Sequence, residues 1–303
     1  MTFRTFFWGA FWSLIALALI FHVGAGWYFS GVLIEDGFVP QPDALETPSG
    51  DYELLEVTYE SPLGPMDAWH LPAAGTTWVI HVHGRTSTPD EAEPLFAPLQ
   101  EAGYSQLAIT FRNDDQQPED PSGFLQFGAT EYEDLAGAVD FALANGAEEL
   151  VFNGFSTGAS HVLSFVLRQP GDRVAGVLMD SPNIDFGDTV DFAASQRDLP
   201  ILPFKVPQTV SAVAKFFTSL RISINWKAID YISKSEDALR HPVFIHHGTE
   251  DETVPIEQSR ELVELHPDLV RLVEVPGAGH IDSYDVDFEG YVARVLGFLA
   301  EVG

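Results

Sequence analysis

The sequence predicts an α/β fold in which a mainly parallel sheet is covered by helices on both faces, preceded by one apolar helix at the amino terminus. Three observations predict it. Short apolar runs near residues 77, 105, 149, 174, 243 and 270 alternate with helix-like stretches near 90, 131, 157, 255 and 285, the alternation expected of βα units. Gly154-Phe155-Ser156-Thr157-Gly158 lies between the apolar run Leu150-Val151-Phe152 and a helix-like stretch from Ala159 to Arg168. No charged residue occurs from Phe6 to Ile34.

Only Ser13, His22 and Ser30 interrupt that apolar amino-terminal stretch. About 20 such residues, at about 1.5 Å each, span a hydrocarbon core of roughly 30 Å. Arg4 precedes the stretch, whereas Glu35, Asp36, Asp43 and Glu46 follow it. That asymmetry predicts a single pass through the cell membrane with a cytoplasmic amino terminus and the rest of the chain outside the cytoplasm. Trp8, Trp12, Trp27 and Tyr28 gather toward the two ends, as interfacial anchors do. A cleaved signal peptide, with cleavage after Ala25, is the competing reading. Signal-peptide cores run only about 7 to 15 residues, and Trp27, Tyr28, Phe29, Val32, Leu33 and Ile34 continue the apolar pattern past that point. An uncleaved anchor is therefore expected. The domain plan is a stub and anchor over 1–34, a Pro-containing acidic linker over 35–50, and one globular domain over 51–303, a size suited to a single α/β core.

Within that domain, Tyr52 to Tyr59 and Met66 to Leu71 read as an antiparallel pair joined through Ser61-Pro62-Leu63-Gly64-Pro65. The parallel strands follow, and the chemistry gathers just beyond their carboxyl ends. Gly154 to Gly158 reads as strand, tight turn and helix with Ser156 at the apex. A serine hydroxyl is a poor nucleophile and needs a base and N–H groups to hold an oxyanion. Glycines at 154 and 158 keep the crowded approach of helix to strand free of side chains. Asp251, in His246-His247-Gly248-Thr249-Glu250-Asp251, follows the apolar strand from Pro242 to Ile245. His280, in Pro276-Gly277-Ala278-Gly279-His280, follows the strand from Val270 to Val275.

In the order Ser156, Asp251, His280, and with His81-Val82-His83-Gly84-Arg85 after the strand from Thr77 to Val82, residues 51 to 303 resemble the α/β-hydrolase superfamily of esterase- and lipase-like serine hydrolases. The resemblance implies Ser156 as nucleophile, His280 as base and Asp251 as the acid that orients it. It implies an oxyanion hole from the backbone N–H groups of Arg85 and Thr157, with loop conformation deciding between Arg85 and Thr86, and it gives His83, Gly84, Gly154 and Gly158 supporting places in the motifs. It also implies a helical lid inserted at about 183–240. The implied reaction is hydrolysis of small or lipid-like carboxylic esters through an acyl-enzyme. A peptidase or acyltransferase using the same triad, and a non-catalytic binding or scaffold protein with the same fold, are the alternatives.

Other residues compete for roles. Asp180, in Leu178-Met179-Asp180-Ser181-Pro182, ends another strand and is an alternative acid. Glu250 is expected to point away, Asp282 to be a solvated loop acid, and His161 to be a satisfied surface or core histidine. His81 and His83 with His246 and His247 suggest metal ligands, yet successive strand residues face opposite ways, and no metal is expected. No Gly-rich phosphate loop or dinucleotide fingerprint follows a strand, so no cofactor is implied. Arg112 is expected to be a local ion-pair partner.

The chain carries 45 Asp and Glu against 15 Lys and Arg, a formal charge of −30, and no cysteine. Such a surface repels nucleic acid, and the chain has no disulfide from which to read a redox compartment. All four lysines, Lys205, Lys215, Lys227 and Lys234, lie in one region, and no acidic residue occurs from Leu199 to Ile229. Val210, Val213, Ala214, Phe217 and Leu220 there fall at helical spacing with Lys215 to the side. Two readings follow: a lid helix packed on the core with its lysines paired to the protein's own acids, or a basic amphipathic lid resting on anionic lipid.

Overall fold

The structure, a computed structural model, describes residues 3–169, 171, 173–199 and 204–303, with side chains from residue 7 onward. Residues 1 and 2 of the expected amino-terminal stub lie outside the described residues. The chain forms two compact units, Pro40–Thr189 with Lys227–Gly303, and Met1–Val39 with Val190–Trp226.

The larger unit is built on a sheet of strands β1 (Leu55–Ser61), β2 (Gly64–Leu71), β3 (Thr77–Val82), β4 (Ser105–Ile109), β5 (Glu149–Phe155), β6 (Val174–Asp180), β7 (Val243–Gly248) and β8 (Val270–Val275). Their order is β1-β2-β4-β3-β5-β6-β7-β8. The β1–β2 and β2–β4 pairs are antiparallel and the rest are parallel. The expected first strand begins three residues late for a specific reason. Tyr52 donates to Glu93 and packs edge-on against Phe96, while the amide of Glu53 bonds the Gln100 side chain, so these residues are held by the helix carrying Glu93, Phe96 and Gln100 instead of by β2.

Central strands covered on both faces are buried along almost their whole length, as β3, β5, β6 and β7 are. Along the chain the helices are α1 (Phe3–Leu33), α2 (Glu93–Glu101), α3 (Tyr132–Ala144), α4 (Thr157–Arg168), α5 (Phe186–Gln196), α6 (Gln208–Ile222), α7 (Tyr231–Ala238), α8 (Glu257–Leu265), α9 (Ser283–Val286) and α10 (Phe288–Val302). On one face of the sheet Val79, Val151, Leu178 and Phe244 pack with Leu95 and Leu99 of α2 and Val295, Phe298 and Leu299 of α10. On the other, Phe152 meets Phe165 of α4 at 5.2 Å between ring centres. With parallel strands, all the βα loops from β3, β5, β6, β7 and β8 emerge at one end, which is where an α/β sheet presents chemistry.

In the smaller unit α1 runs 31 residues and continues as a π-helical turn, Ile34–Phe38. Its first two turns and middle carry exposed Phe7, Trp8, Phe11, Trp12, Leu14, Leu17 and Ile20. Its later part packs on α6: Gly26 lies against Val213, Trp27 edge-on against Phe217, and Ala25 and Phe29 against Leu199, Val206 and Val210. Val210 and Ala214 of the expected apolar stripe are buried, but Leu220 is exposed. Arg221, itself exposed, reaches over the Trp27 ring and donates to the Ser30 hydroxyl at 3.2 Å. Lys215 pairs with Asp191 at 2.7 Å and Lys205 with Asp198 at 3.1 Å.

Helix α3 approaches β1 so closely that a Cβ on Gly137 would lie 1.8 Å from the carbonyl oxygen of Glu60. The obstacle is backbone, so no rotamer change relieves it. Gly137→Ala is expected to cost about 1 to 3 kcal/mol or more, read as a lower urea midpoint; an unchanged midpoint would contradict this packing.

Candidate active site

Strand β5 passes into α4 through Ser156, whose backbone lies at φ 45° and ψ −116°, a region non-glycine residues seldom occupy. Neighbours hold it there. The Ser156 amide donates to the carbonyl of Asp180 at 3.0 Å, and its carbonyl accepts from the amides of Asn183 at 3.0 Å and Ala159 at 3.1 Å. A Cβ on Gly158 would lie 2.1 Å from the Val82 carbonyl oxygen, and one on Gly154 2.8 Å from Ala159 Cα. These two positions therefore admit only glycine, as the turn requires, and the serine side chain is lifted clear of the sheet with the residue 8% exposed.

Two other loops deliver side chains to it. The Ser156 hydroxyl donates to His280 Nε2 at 2.9 Å, and His280 Nδ1–H donates to Asp251 Oδ2 at 2.8 Å. Asp251 Oδ1 accepts the amides of Thr253 at 2.8 Å and Val254 at 2.9 Å, and His247 Nε2 stands 3.3 Å from Oδ2. Burial alone would raise the Asp251 carboxyl, but the bonds from His247, His280 and the Val254 amide outweigh it and hold the group well below the usual carboxylate range. Asp251 is thus ionised wherever His280 needs a partner. The β7 and β8 loops meet closely because residue 248 is glycine: a Cβ there would lie 2.2 Å from the Ala278 carbonyl oxygen.

Thr157 opens α4, so its N–H has no intrahelical acceptor and points from the positive end of the helix dipole. Gly84 lies beside the nucleophile, where an added Cβ would be 3.2 Å from Ser156 Cβ. Its own N–H is committed to Glu91 Oε2 at 2.7 Å. Arg85 follows in the same loop, and Thr86 adopts a left-handed φ of 59°. His83 donates to the Gly84 carbonyl through Nδ1–H, bonds Asp114 through Nε2 at 2.9 Å and stacks on Phe111. Burial pulls its basicity down, yet the charge and hydrogen bond of Asp114 leave it raised. Burial raises the Glu91 carboxyl despite its bond to Gly84.

The remaining candidates separate clearly. Asp180 is fully buried and accepts from Ser283 Oγ at 3.0 Å; it makes no bond to His280, whose Nδ1 goes to Asp251. Burial pushes the Asp180 carboxyl up to about 7. Glu250 and Asp282 are exposed. His161 is a core residue, edge-on to Phe111, but its Nδ1 has no partner among the described residues, so it is not the satisfied histidine expected. Burial lowers it to about 3. His246 and His247 face opposite sides of β7, toward Arg294 and Ser259, and His81 bonds Gln106 and Asn153. Among the described residues no group of three or more His, Cys, Asp or Glu is arranged to hold a metal ion. Arg112 is buried and bonds Asp134 twice, Asp120 and Glu133, a local ion-pair cluster.

Four contributors went unnoticed in the sequence: His247 on Asp251, Glu91 on Gly84, Asn183 on Ser156 and Asp114 on His83. Each acts across a loop whose path is set by packing, so no spacing rule marks it. His247 alone had a hint, lying beside His246 just before the Gly248 turn.

No protein-family profile matches the chain. It is similar to an uncharacterized protein, YfhR, of Salmonella typhimurium, 24% identical over 72% of this chain and 71% of that protein. It is also similar to the YfhR of Escherichia coli, 21% identical over 76% of this chain and 73% of that protein. Among solved structures it resembles the esterase Pf2001 of Pyrococcus furiosus, with a TM-score of 0.68 and 21% identity over 88% of this chain and 99% of that one. An alpha-beta hydrolase of Vibrio vulnificus superposes with a TM-score of 0.60 and 16% identity over 81% of each chain. A thermophilic esterase of Thermogutta terrifontis does so with 0.55 and 17% identity over 82% of this chain and 99% of that one. The sheet order and these superpositions together establish that the chain has the α/β-hydrolase fold.

The buried Asp180 generates a pH prediction. Unfolded, an aspartate ionises near about 3.9, whereas folded Asp180 keeps its proton up to about 7. The native state binds the extra proton between those values, so this group's favourable contribution is complete below about pH 4 and is lost as pH rises through about 7. Asp180→Asn is therefore expected to gain thermal stability relative to the wild type between about pH 4 and 8; parallel melting profiles would contradict the neutral buried carboxyl.

Proposed function

We propose that the protein is a serine hydrolase that cleaves carboxylic esters through an acyl-enzyme. The observation that carries this reading is the continuous hydrogen-bonded line from Ser156 Oγ through His280 to an ionised Asp251. The similarity of the fold to proteins described as esterases favours ester over amide substrates.

In this mechanism Ser156 Oγ attacks the ester carbonyl carbon while His280 Nε2 accepts its proton. Asp251 holds the Nδ1–H tautomer and stabilises the imidazolium that forms. The oxyanion of the tetrahedral intermediate lies against the N–H groups of Thr157 and Arg85, where preorganised donors are each worth about 10² to 10³ in rate. His280 then passes the proton to the departing alcohol. Water, activated by the same histidine, repeats the sequence on the acyl-enzyme and releases the carboxylic acid.

α1 serves in this reading as a single-pass anchor in the cell membrane with its amino terminus in the cytoplasm, and the hydrolase unit works outside the cytoplasm on small or lipid-like esters. Its composition and length suffice to cross a bilayer.

Hydrolysis of p-nitrophenyl esters of increasing acyl length tests the reading. The wild type is expected to turn them over. Ser156→Ala should lose at least about 10⁴-fold in kcat, and Asp251→Asn about 10⁴-fold, with circular dichroism unchanged. Retention of activity by Ser156→Ala would refute it.

A further inference from the structure

α1 changes character along its length. From Phe7 to Phe21 its side chains are exposed or only half-buried, and the window most suited to a membrane has no buried residue. From Phe6, where the charge-free run begins, about 20 residues at about 1.5 Å each reach Ala25 and match the roughly 30 Å of a hydrocarbon core. His22 is where contact with another helix begins. Its Nδ1–H donates to the Ala18 carbonyl, so Nε2 accepts from the Thr209 hydroxyl at 2.9 Å.

Beyond His22 the contacts ascend together in both helices. Gly26 meets Val213, Trp27 meets Phe217, and Ser30 meets Arg221. α6 therefore runs parallel to α1, and its amino-terminal end is level with His22, while Val23, Trp27 and Tyr28 of α1 remain exposed beyond that level. Residues just before α6 are tied to the same level. Leu199 donates its amide to the Phe204 carbonyl and Val206 to that of Arg197, while Leu199 and Val206 pack with Ala25 and Phe29.

The same unit exposes four large aromatic side chains: Trp27 at 54%, Tyr28 at 56%, Phe204 at 64% and Phe216 at 59% exposure. Soluble surfaces seldom gather such residues, whereas headgroup regions favour them. Lys205 and Arg221 lie on the same unit, within the stretch Leu199 to Ile229 that has no acidic residue in a chain of charge −30. It is the part of the chain an anionic lipid surface repels least.

We infer that the Val190–Trp226 insertion is seated on the bilayer that α1 crosses, with Trp27, Tyr28, Phe204 and Phe216 in the headgroup region. The inference rests on α1 being a retained anchor, and it adds that the anchor and the insertion form one lipid-contacting element. The partner is the lipid surface, with no receptor protein needed.

The chain has no cysteine, so single introduced cysteines can be spin-labelled in the full-length protein. It is reconstituted into phosphatidylcholine vesicles containing phosphatidylglycerol, and the relaxing effects of oxygen and of a water-soluble nickel chelate are compared. Leu14→Cys serves as the lipid reference and Asp268→Cys, on an exposed loop, as the water reference. Labels at Phe204→Cys and Phe216→Cys are expected to show an oxygen-to-nickel ratio at least several-fold above that at 268 and below that at 14. Labels at 204 and 216 that match 268, while 14 reports lipid, would overturn the docking and leave the anchor standing. A label at 14 that reports water would overturn the anchor reading and this inference with it. Both tested side chains are exposed, so the substitutions leave packing intact.

Discussion

The site depends on one backbone constraint, the positive φ of Ser156. A strained residue of this kind costs about 1 to 3 kcal/mol and persists only where its surroundings fix it. Here three backbone hydrogen bonds do so, from β6, from the loop after it and from α4's own first turn. The glycines on either side let α4 approach β3 and β5 without a clash. The hydroxyl consequently stands where His280 reaches it, and the first N–H of α4 lies beside it.

Much of this was legible because it is local. Gly154, Ser156 and Gly158 declare a tight strand-to-helix turn by residue type alone, and the apolar runs around β3, β5, β7 and β8 place the loops that follow them. Asp251 and His280 come together because those strands are parallel neighbours, so reading the topology was enough. What escaped was whatever depends on side-chain direction. Asp180 stood only as the alternative to the expected Asp251, and its carboxyl turns to Ser283 in the interior while His280 Nδ1 bonds Asp251. Leu220 fits a helical stripe by count but is exposed, and it is the neighbouring Arg221 that contacts α1, through its cation–π contact with Trp27 and its bond to Ser30. Periodicity gives a helix face to within a residue or so, and tertiary partners choose the occupant.

The amino-terminal helix shows the same division. Its apolar composition is uniform in the sequence, whereas its structure is not. The clue was the cluster of small residues Ala25, Gly26, Ser30 and Gly31, a pattern that lets helices approach closely. A Cβ at 26 would lie 2.4 Å from Val213 Cγ1. Cleavage after Ala25 would divide this packed face and remove the partner of Thr209, so the helix is a structural part of its unit.

The central claim is that Ser156 is an activated nucleophile, and covalent capture tests it most directly. The full-length protein would be treated with a fluorophosphonate and digested, and the modified peptide located by mass spectrometry. The account predicts one adduct on Ser156, formed readily by the wild type and slowed by roughly the factor that separates Asp251→Asn from the wild type in turnover. A folded protein that forms no adduct, or forms it on another residue, would contradict the account.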